Sequence, residues 1–420
     1  MCRIAMISMH TCPLATLGGK ETGGMNVYVR ELSRELGRQG KQVDVFTRAQ
    51  DPTIAPVRDL APGVRVIHIA AGPVAPADKN DLVGHVDEFI TGIEAFRRAE
   101  EIEYDVVHAH YWLSGLAGRQ LANRWRVPLV AMFHTLGKLK NQVAKSEAER
   151  DTDGRIAIET TVMQEADQLI AATPTERAQM AWLYGAPKER VTVIPCGVDG
   201  RLFHPRDQAA AQARLDLPAG RLLLFVGRIE RLKGIDTLLE AAAQLVATGG
   251  HDDLRVLIVG GDIESNRANN PELHRLQALS QELGLADRVD FLGSQSQAEL
   301  PHYYAAADVT IMPSHYESFG MVALESMACG TPVIASRVGG LAALVKDGET
   351  GYLVPAESPD ALADRIRTLL ADEELRRRLG AQAACYAQQY RWPHIAARIT
   401  TVYNTLLSHF ARETCECPAM

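Results

Sequence analysis

The residues best suited to chemistry sit where apolar runs give way to glycine and charge. Phe225–Gly227 is followed by Arg228, then by Arg231, Lys233 and Gly234. There a guanidinium can grip phosphate oxygens in pairs and an ammonium can act as a compact point charge. The segment Gly18–Asn26 carries paired glycines, Gly23 and Gly24, ahead of a helical pattern. Glycine lets backbone approach a ligand, and the N–H groups at a helix start suit a phosphate. It is not a GxGxxG loop, and no acidic ribose partner follows, which weighs against a nicotinamide dehydrogenase. Glu317 and Glu325 stand eight residues apart around Ser318, Phe319 and Gly320. That spacing puts Glu317 before a helix and Glu325 inside it, one suited to sugar hydroxyls and the other to a ribose diol. Phe133–Thr135 presents His134 at a strand end, and His108, His110 and Tyr111 end another. The two histidines share a face and have metal-pair spacing, without a convincing third ligand. Asp151 and Asp153 match a DxD metal–diphosphate pattern inside the charged stretch 145–155. Each of these groups, taken singly, reads equally well as a turn or as solvated surface charge.

Those residues need elements to hold them. Strand-sized apolar runs lie at 3–9, 43–47, 64–69, 105–109, 128–133, 168–172 and 191–195, with helical spacing at 27–39. The rhythm restarts at 222–226, 254–259, 289–292, 309–312 and 332–335, with helices expected at 235–247 and 271–283. Such alternation implies mostly parallel sheets covered on both faces. The fold class is therefore α/β, with two doubly wound, Rossmann-like domains at 1–200 and 201–390. The polar, Ala-rich stretch after Arg201–Pro205 is the expected linker. A terminal segment, 391–420, carries an amphipathic helix at 392–410 that packs back on the first domain or joins a homodimer. Ligands of such sheets bind beyond the carboxyl ends of the strands.

The chain has 420 residues, 46% hydrophobic and 23% charged, with 44 basic against 52 acidic side chains and a net charge of −8. These are globular values, and the length exceeds what one core usually serves. The acidic balance argues against a nucleic-acid partner. No apolar run reaches membrane-spanning length, and the N-terminus reads as a strand without a cleavable signal. Seven scattered cysteines point to a reducing, cytoplasmic setting, with only Cys415 and Cys417 close together.

Taken together, Gly23–Gly24, Gly227–Arg228, Lys233–Gly234 and the Glu317/Glu325 pair resemble the retaining glycosyltransferases of the GT-B fold, family 4. The resemblance runs through nearly the whole chain, including Val191–Asp199 and Gly330–Ile334. Within the family, Met6–Thr11, Gly23–Tyr28, Ile69–Pro73, His108–Gly115 and His134–Gly137 look most like the branch that glycosylates inositol phosphate in mycothiol biosynthesis. Sucrose-phosphate synthases share several of these stretches. One departure is Gly293–Gln295, which lacks an Arg carried by the inositol-phosphate branch.

The resemblance implies two GT-B domains facing a central cleft and roles by position. Arg228 and Lys233 hold the donor diphosphate, with Gly23, Gly24 and the backbone of Phe319, Gly320 and Met321. Glu317 contacts the donor sugar and Glu325 its ribose, while His134 lies beside the transferred sugar and orients it. Acceptor contacts fall to Asn26, Lys79, Tyr111, Thr135 and Arg155. Of these, Lys79, Tyr111, Thr135 and Arg155 match the branch's phosphate quartet, and two cations with two hydroxyls suit one phosphate dianion. The reaction implied moves a hexose, GlcNAc or glucose, from a UDP-sugar to a phosphorylated polyol with retention. In same-face attack the leaving phosphate oxygen accepts the acceptor's proton, so no carboxylate nucleophile, metal ion or other cofactor is expected. Rival readings are transfer to fructose 6-phosphate, a UDP-sugar 2-epimerase on the same architecture, and a non-catalytic nucleotide-sugar binder.

Overall fold

A computed structural model describes residues 2–15, 22–217, 220–261 and 270–415. The chain divides into two compact units. The first holds residues up to Ala15, Gly24–Cys196 and the helix Trp392–Cys415; the second holds Gly197–Arg391 together with Thr22 and Gly23.

Among the described residues the first unit carries β1 (Arg3–Ile7), β2 (Gln42–Arg48), β3 (Val57–Ala61), β4 (Val64–Ile69), β5 (Val106–His110), β6 (Leu129–Met132), β7 (Gln168–Ala171) and β8 (Val191–Val193). They form one sheet in the order β3-β4-β2-β1-β5-β6-β7-β8. All neighbours are parallel except β3, which runs antiparallel to β4 at the edge. The second unit carries β9 (Arg221–Val226), β10 (Leu254–Val259), β11 (Val289–Gly293), β12 (Val309–Met312), β13 (Val333–Ser336) and β14 (Gly351–Val354). Their order is β11-β10-β9-β12-β13-β14, parallel throughout.

Both sheets therefore wind outward twice from a central strand, β1 or β9, and reverse direction at β1/β5 and β9/β12. Such reversal points open a crevice at the strand ends, where ligands of doubly wound sheets bind. The strands look as this burial demands. Leu222–Val226 in β9 is an unbroken apolar run with every residue buried, because helices cover both of its faces. β3 escapes that pattern: Val57, Arg58 and Asp59 are exposed at the edge, and charged residues break its apolar ones so that no strand-sized apolar run marks it in the sequence.

The Ala-rich stretch expected as a linker is instead the helix Gln208–Arg214. Its Ala211 is buried with Leu222, Ala305 and Ala306, so small side chains there permit close packing rather than a mobile connection. The terminal helix Trp392–Cys415 belongs to the first unit. Its Trp392 ring meets Tyr28 edge-on at 5.4 Å, and its Tyr403 is fully buried. No described helix is long and apolar enough to cross a membrane. Cys2, Cys12, Cys196, Cys329 and Cys385 are free thiols. The Cys415/Cys417 pair, and residues 16–21 of the first glycine loop, lie outside the described side chains.

Candidate active site

In the first unit the candidate residues gather beyond β1, β5 and β6. Asn26 lies in the first turn of the helix Gly24–Arg38 and is buried. Its side-chain amide donates to Thr11 Oγ1 and to the Cys12 carbonyl, both at 2.7 Å, and so fastens the loop leaving β1. Tyr111 follows β5 with φ +79°, and His134 follows β6 with φ +62°. Left-handed backbone is costly for residues with a Cβ and tends to persist where it aims a functional side chain.

His134 Nε2 lies 3.0 Å from His110 Nδ1, and His110 Nε2 lies 2.8 Å from Met6 Sδ. A thioether only accepts, so His110 carries its proton on Nε2 and accepts at Nδ1 from the His134 Nε2–H. The His108 ring lies tilted against His110, 4.3 Å between centroids, and pairs through Nδ1 with the Tyr403 hydroxyl at 2.7 Å. The HxH pair thus shares a face, as alternate strand residues must, and is engaged in aromatic and hydrogen-bond contacts. Burial pushes His108 and His134 down to about 3, and His110 well below its ordinary value. All three are neutral at physiological pH.

The acceptor quartet converges on one guanidinium. Arg155, with no exposed side-chain surface, donates from Nε to Glu159 at 2.7 Å. Its NH1 reaches the Tyr111 hydroxyl at 2.9 Å, and its NH2 reaches the Thr135 carbonyl and hydroxyl at 3.0 and 3.1 Å. The guanidinium carbon also sits 4.8 Å from the Tyr111 ring centre. Lys79 interacts electrostatically with Tyr111, Lys140 and Asp151, which places it beside the same cluster. The loop leading to Lys79 is fixed by the buried Arg48, which donates to the carbonyls of Pro73 (2.5 Å) and Ala75 (2.7 Å).

Two members of this cluster, Lys140 and Asp151, were not expected among the acceptor residues. Asp151 is not a solvated loop residue or half of a metal pair here; it is buried, 2.9 Å from Arg155 NH1 and 3.1 Å from Lys140 Nζ. Burial alone would raise its carboxyl, but Arg155 and Lys140 outweigh that and hold it below the usual range. Burial lowers the Lys140 ammonium. Thr152 caps the helix Asp153–Glu165, and Asp153 lies in its first turn. The signal was present as an i, i+4 ladder, Asp151–Arg155–Glu159, which aligns three charges on one side of a helix start.

In the second unit the candidates lie beyond β9 and β12. After β9 comes Arg228, whose NH1 pairs with Glu230 at 2.9 Å. The Gly23 backbone runs beside this cation: a Cβ built there would stand 3.8 Å from Arg228 Nε, an ordinary contact distance. Lys233 ends a short 3-10 turn, Arg231–Lys233, that Gly234 closes at φ +62°. Lys233 Nζ donates to Glu317 Oε2 at 2.6 Å. Glu317 lies in the loop after β12, and its carbonyl accepts from the Gly340 N–H at 2.8 Å. The buried Phe319 leads to Gly320, at φ +98°, which starts the helix Met321–Ala328. Its first backbone N–H groups have no partner within the helix and suit an anion. Glu325, inside that helix, is buried and accepts from the Tyr304 hydroxyl at 2.9 Å. The expected placement of the two carboxylates, one before the helix and one within it, is what the structure shows.

Comparison with known proteins follows this division. Residues 22–201 match the family model described as Glycosyltransferase Family 4, and residues 197–385 match Glycosyl transferases group 1. The chain is 45% identical to the D-inositol 3-phosphate glycosyltransferase of Acidothermus cellulolyticus, over 97% of this chain and 91% of that protein. It is 44% identical to the protein of the same name from Kineococcus radiotolerans, over 98% and 97%. Among solved structures, the sucrose-phosphate synthase of Thermosynechococcus elongatus superposes with a TM-score of 0.90 at 38% identity, covering 97% of this chain and all of that one. An Anabaena protein solved in complex with UDP-glucose shares the fold, with a TM-score of 0.74 at 20% identity, covering 97% and 100%.

Proposed function

The chain belongs to the GT-B glycosyltransferases of family 4 and group 1, and from that premise we propose that it moves a hexose from a UDP-sugar to the hydroxyl of inositol phosphate, with the anomeric configuration retained. The observation that carries the acceptor is the convergence of Tyr111, Thr135 and Arg155, with Lys79 alongside. A buried guanidinium meeting two hydroxyls, with a second cation in electrostatic reach, matches a phosphate dianion and not a neutral sugar. The names of the curated relatives support the same acceptor class.

Donor chemistry falls to the second unit. As the sugar–phosphate bond breaks, negative charge grows on the leaving diphosphate. Arg228, Lys233 and the amides that open the helix Met321–Ala328 are the groups for that charge. Glu317, already held by Lys233, is oriented for hydroxyls of the donor sugar, and Glu325 for the ribose. His134 is neutral, so it orients a hydroxyl rather than supplying a positive charge. In same-face attack the leaving phosphate oxygen takes the acceptor proton, which needs no protein base. The substrates are small, and the reaction is read as cytoplasmic.

Fructose 6-phosphate is the second acceptor reading, favoured by the likeness to a sucrose-phosphate synthase. The test is an acceptor screen, with UDP-GlcNAc and UDP-glucose each offered inositol phosphate and fructose 6-phosphate. Transfer to inositol phosphate is expected. Transfer to fructose 6-phosphate alone overturns the acceptor assignment, and no transfer from either donor overturns the UDP-sugar assignment.

A further inference from the structure

Resting on the reading that Arg155 and its neighbours take the acceptor's phosphate, we propose that Asp151 is an internal stand-in for that phosphate, a specificity-determining carboxylate that a dianionic acceptor must displace. The guanidinium of Arg155 has little room to spare. Its Nε faces Glu159 and its NH2 faces Thr135, while NH1 is the corner shared by the Tyr111 hydroxyl and Asp151 Oδ1. A phosphate held jointly by Arg155 and Tyr111 comes to that corner, where the Asp151 carboxylate already sits. The other Asp151 oxygen is with Lys140 Nζ, a further cation for the same anion.

The two carboxylates of the cluster are built differently. Glu159 has no exposed side-chain surface and accepts from Arg155, the Gly137 N–H and the Tyr184 hydroxyl, so it is a fixed part of the wall. Among the described residues, the Asp151 carboxylate is paired with two cations and receives no such neutral donors. Its backbone is pinned separately, because Asn141 Oδ1 accepts from the Asp151 N–H at 2.7 Å and Asn141 Nδ2 donates to its carbonyl at 3.0 Å. Release of the carboxylate therefore asks for a change of side-chain rotamer and not a shift of the chain.

Charge points the same way. Among the described side chains the cluster holds three cations, Lys79, Lys140 and Arg155, against the carboxylates of Asp151 and Glu159. A bound phosphate dianion leaves it negative if Asp151 stays and neutral if Asp151 swings out. Excess charge in a buried site is expensive, so the exchange of one anion for another is favoured. An unphosphorylated polyol brings nothing to exchange and leaves Asp151 in place. The opposing view, that Asp151 permanently holds Arg155 and Lys140 in position, makes the reverse prediction.

The experiment uses Asp151→Asn with inorganic phosphate as the probe, read by calorimetry and by the rise in Tm that phosphate produces. Asp151→Asn is expected to lower Tm without phosphate, to bind phosphate tighter by at least about fivefold, the upper worth of an exposed ion pair, and to gain more Tm from phosphate than the parent does. Its KM for inositol phosphate falls in step. Unchanged or weaker phosphate binding overturns the proposal. Should the variant fold poorly, a crystal structure of the parent with phosphate decides: a phosphate on Arg155 NH1 with Asp151 rotated away supports the exchange, and Asp151 still on both cations overturns it. A parent that shows no response to phosphate by any of these measures overturns the acceptor reading itself. A parent that responds, beside a variant that gains nothing, overturns only the role of Asp151.

Discussion

Lys233 and Glu317 face each other at 2.6 Å from loops that follow β9 and β12, the two strands at which the second sheet reverses direction. Each is mostly shielded, with 18% and 16% of its side chain exposed. The ammonium is thus held by a carboxylate at the place where donor chemistry is expected. On the proposed reading, its worth to the reaction lies in charge that grows as the leaving group departs, which binding of the ground state does not use. Lys233→Ala is expected to lower kcat about a hundredfold with a smaller change in donor KM. Steady-state kinetics with varied UDP-sugar checks this, and unchanged turnover would remove Lys233 from the chemistry.

The acceptor cluster separates binding from scaffolding. Arg155→Ala strips the partner from the fully buried Glu159 and is expected to cost about 3–5 kcal/mol of stability, read as a lower denaturation midpoint. Tyr111→Phe and Thr135→Val spare that ion pair. They are expected to raise the KM for inositol phosphate several-fold, leaving donor hydrolysis without acceptor at the parent rate. Equal loss of donor hydrolysis would show that these hydroxyls do not act on the acceptor alone.

The buried histidines give stability a pH dependence. His108 and His134 fall from 6.5 in the unfolded chain to about 3 when buried. A depressed pKa means that their contribution is fully present above about 6.5 and is lost as pH falls toward 3. Glu176 has the opposite sign, because burial raises it from 4.5 to about 7. Its contribution is full below about 4.5 and is lost as pH rises through about 7. Between about 4.5 and 6.5 the two effects oppose each other, so Tm is expected to fall on the acid side and to stay nearly level above about 7, and Glu176→Gln is expected to steepen the acid-side fall. Thermal melts from pH 4 to 9 in matched buffers test the pair of signs.

Gly234 closes the turn that carries Lys233, at a backbone angle that disfavours a Cβ. A Cβ there would also come 2.1 Å from the Pro313 carbonyl oxygen. Gly234→Ala is expected to cost at least about 1–3 kcal/mol and to lower kcat as well, since the turn must shift and Lys233 with it. A variant with parental Tm and kcat would show that the loop absorbs the added methyl.

Much of the frame is legible in the residues alone. The helix 235–247 and the strand 309–312 emerge at their expected bounds, because their apolar periodicity answers to burial. β3 is silent, since an exposed edge strand need not be apolar. The Ala-rich 208–214 reads as a linker because small side chains give no amphipathic stripe, although they pack closely. At the site, Arg228, Lys233 and the two glutamates stand out by spacing, whereas Lys79 and Arg155 became visible only through the family resemblance. Lys140 was missed because its meeting with Asp151 is made by the fold across a loop and carries little local signature.

Apart from the piece at Thr22 and Gly23, the chain passes between the two units at 196–197 and at 391–392, both between elements of the first unit in chain order. The second unit is therefore an insertion within the first. As the polypeptide leaves the ribosome, the complete β9–β14 sheet emerges before the helix bearing Tyr403, the hydroxyl that pairs with His108. Half of this enzyme can mature during synthesis while the other half waits for its final wall.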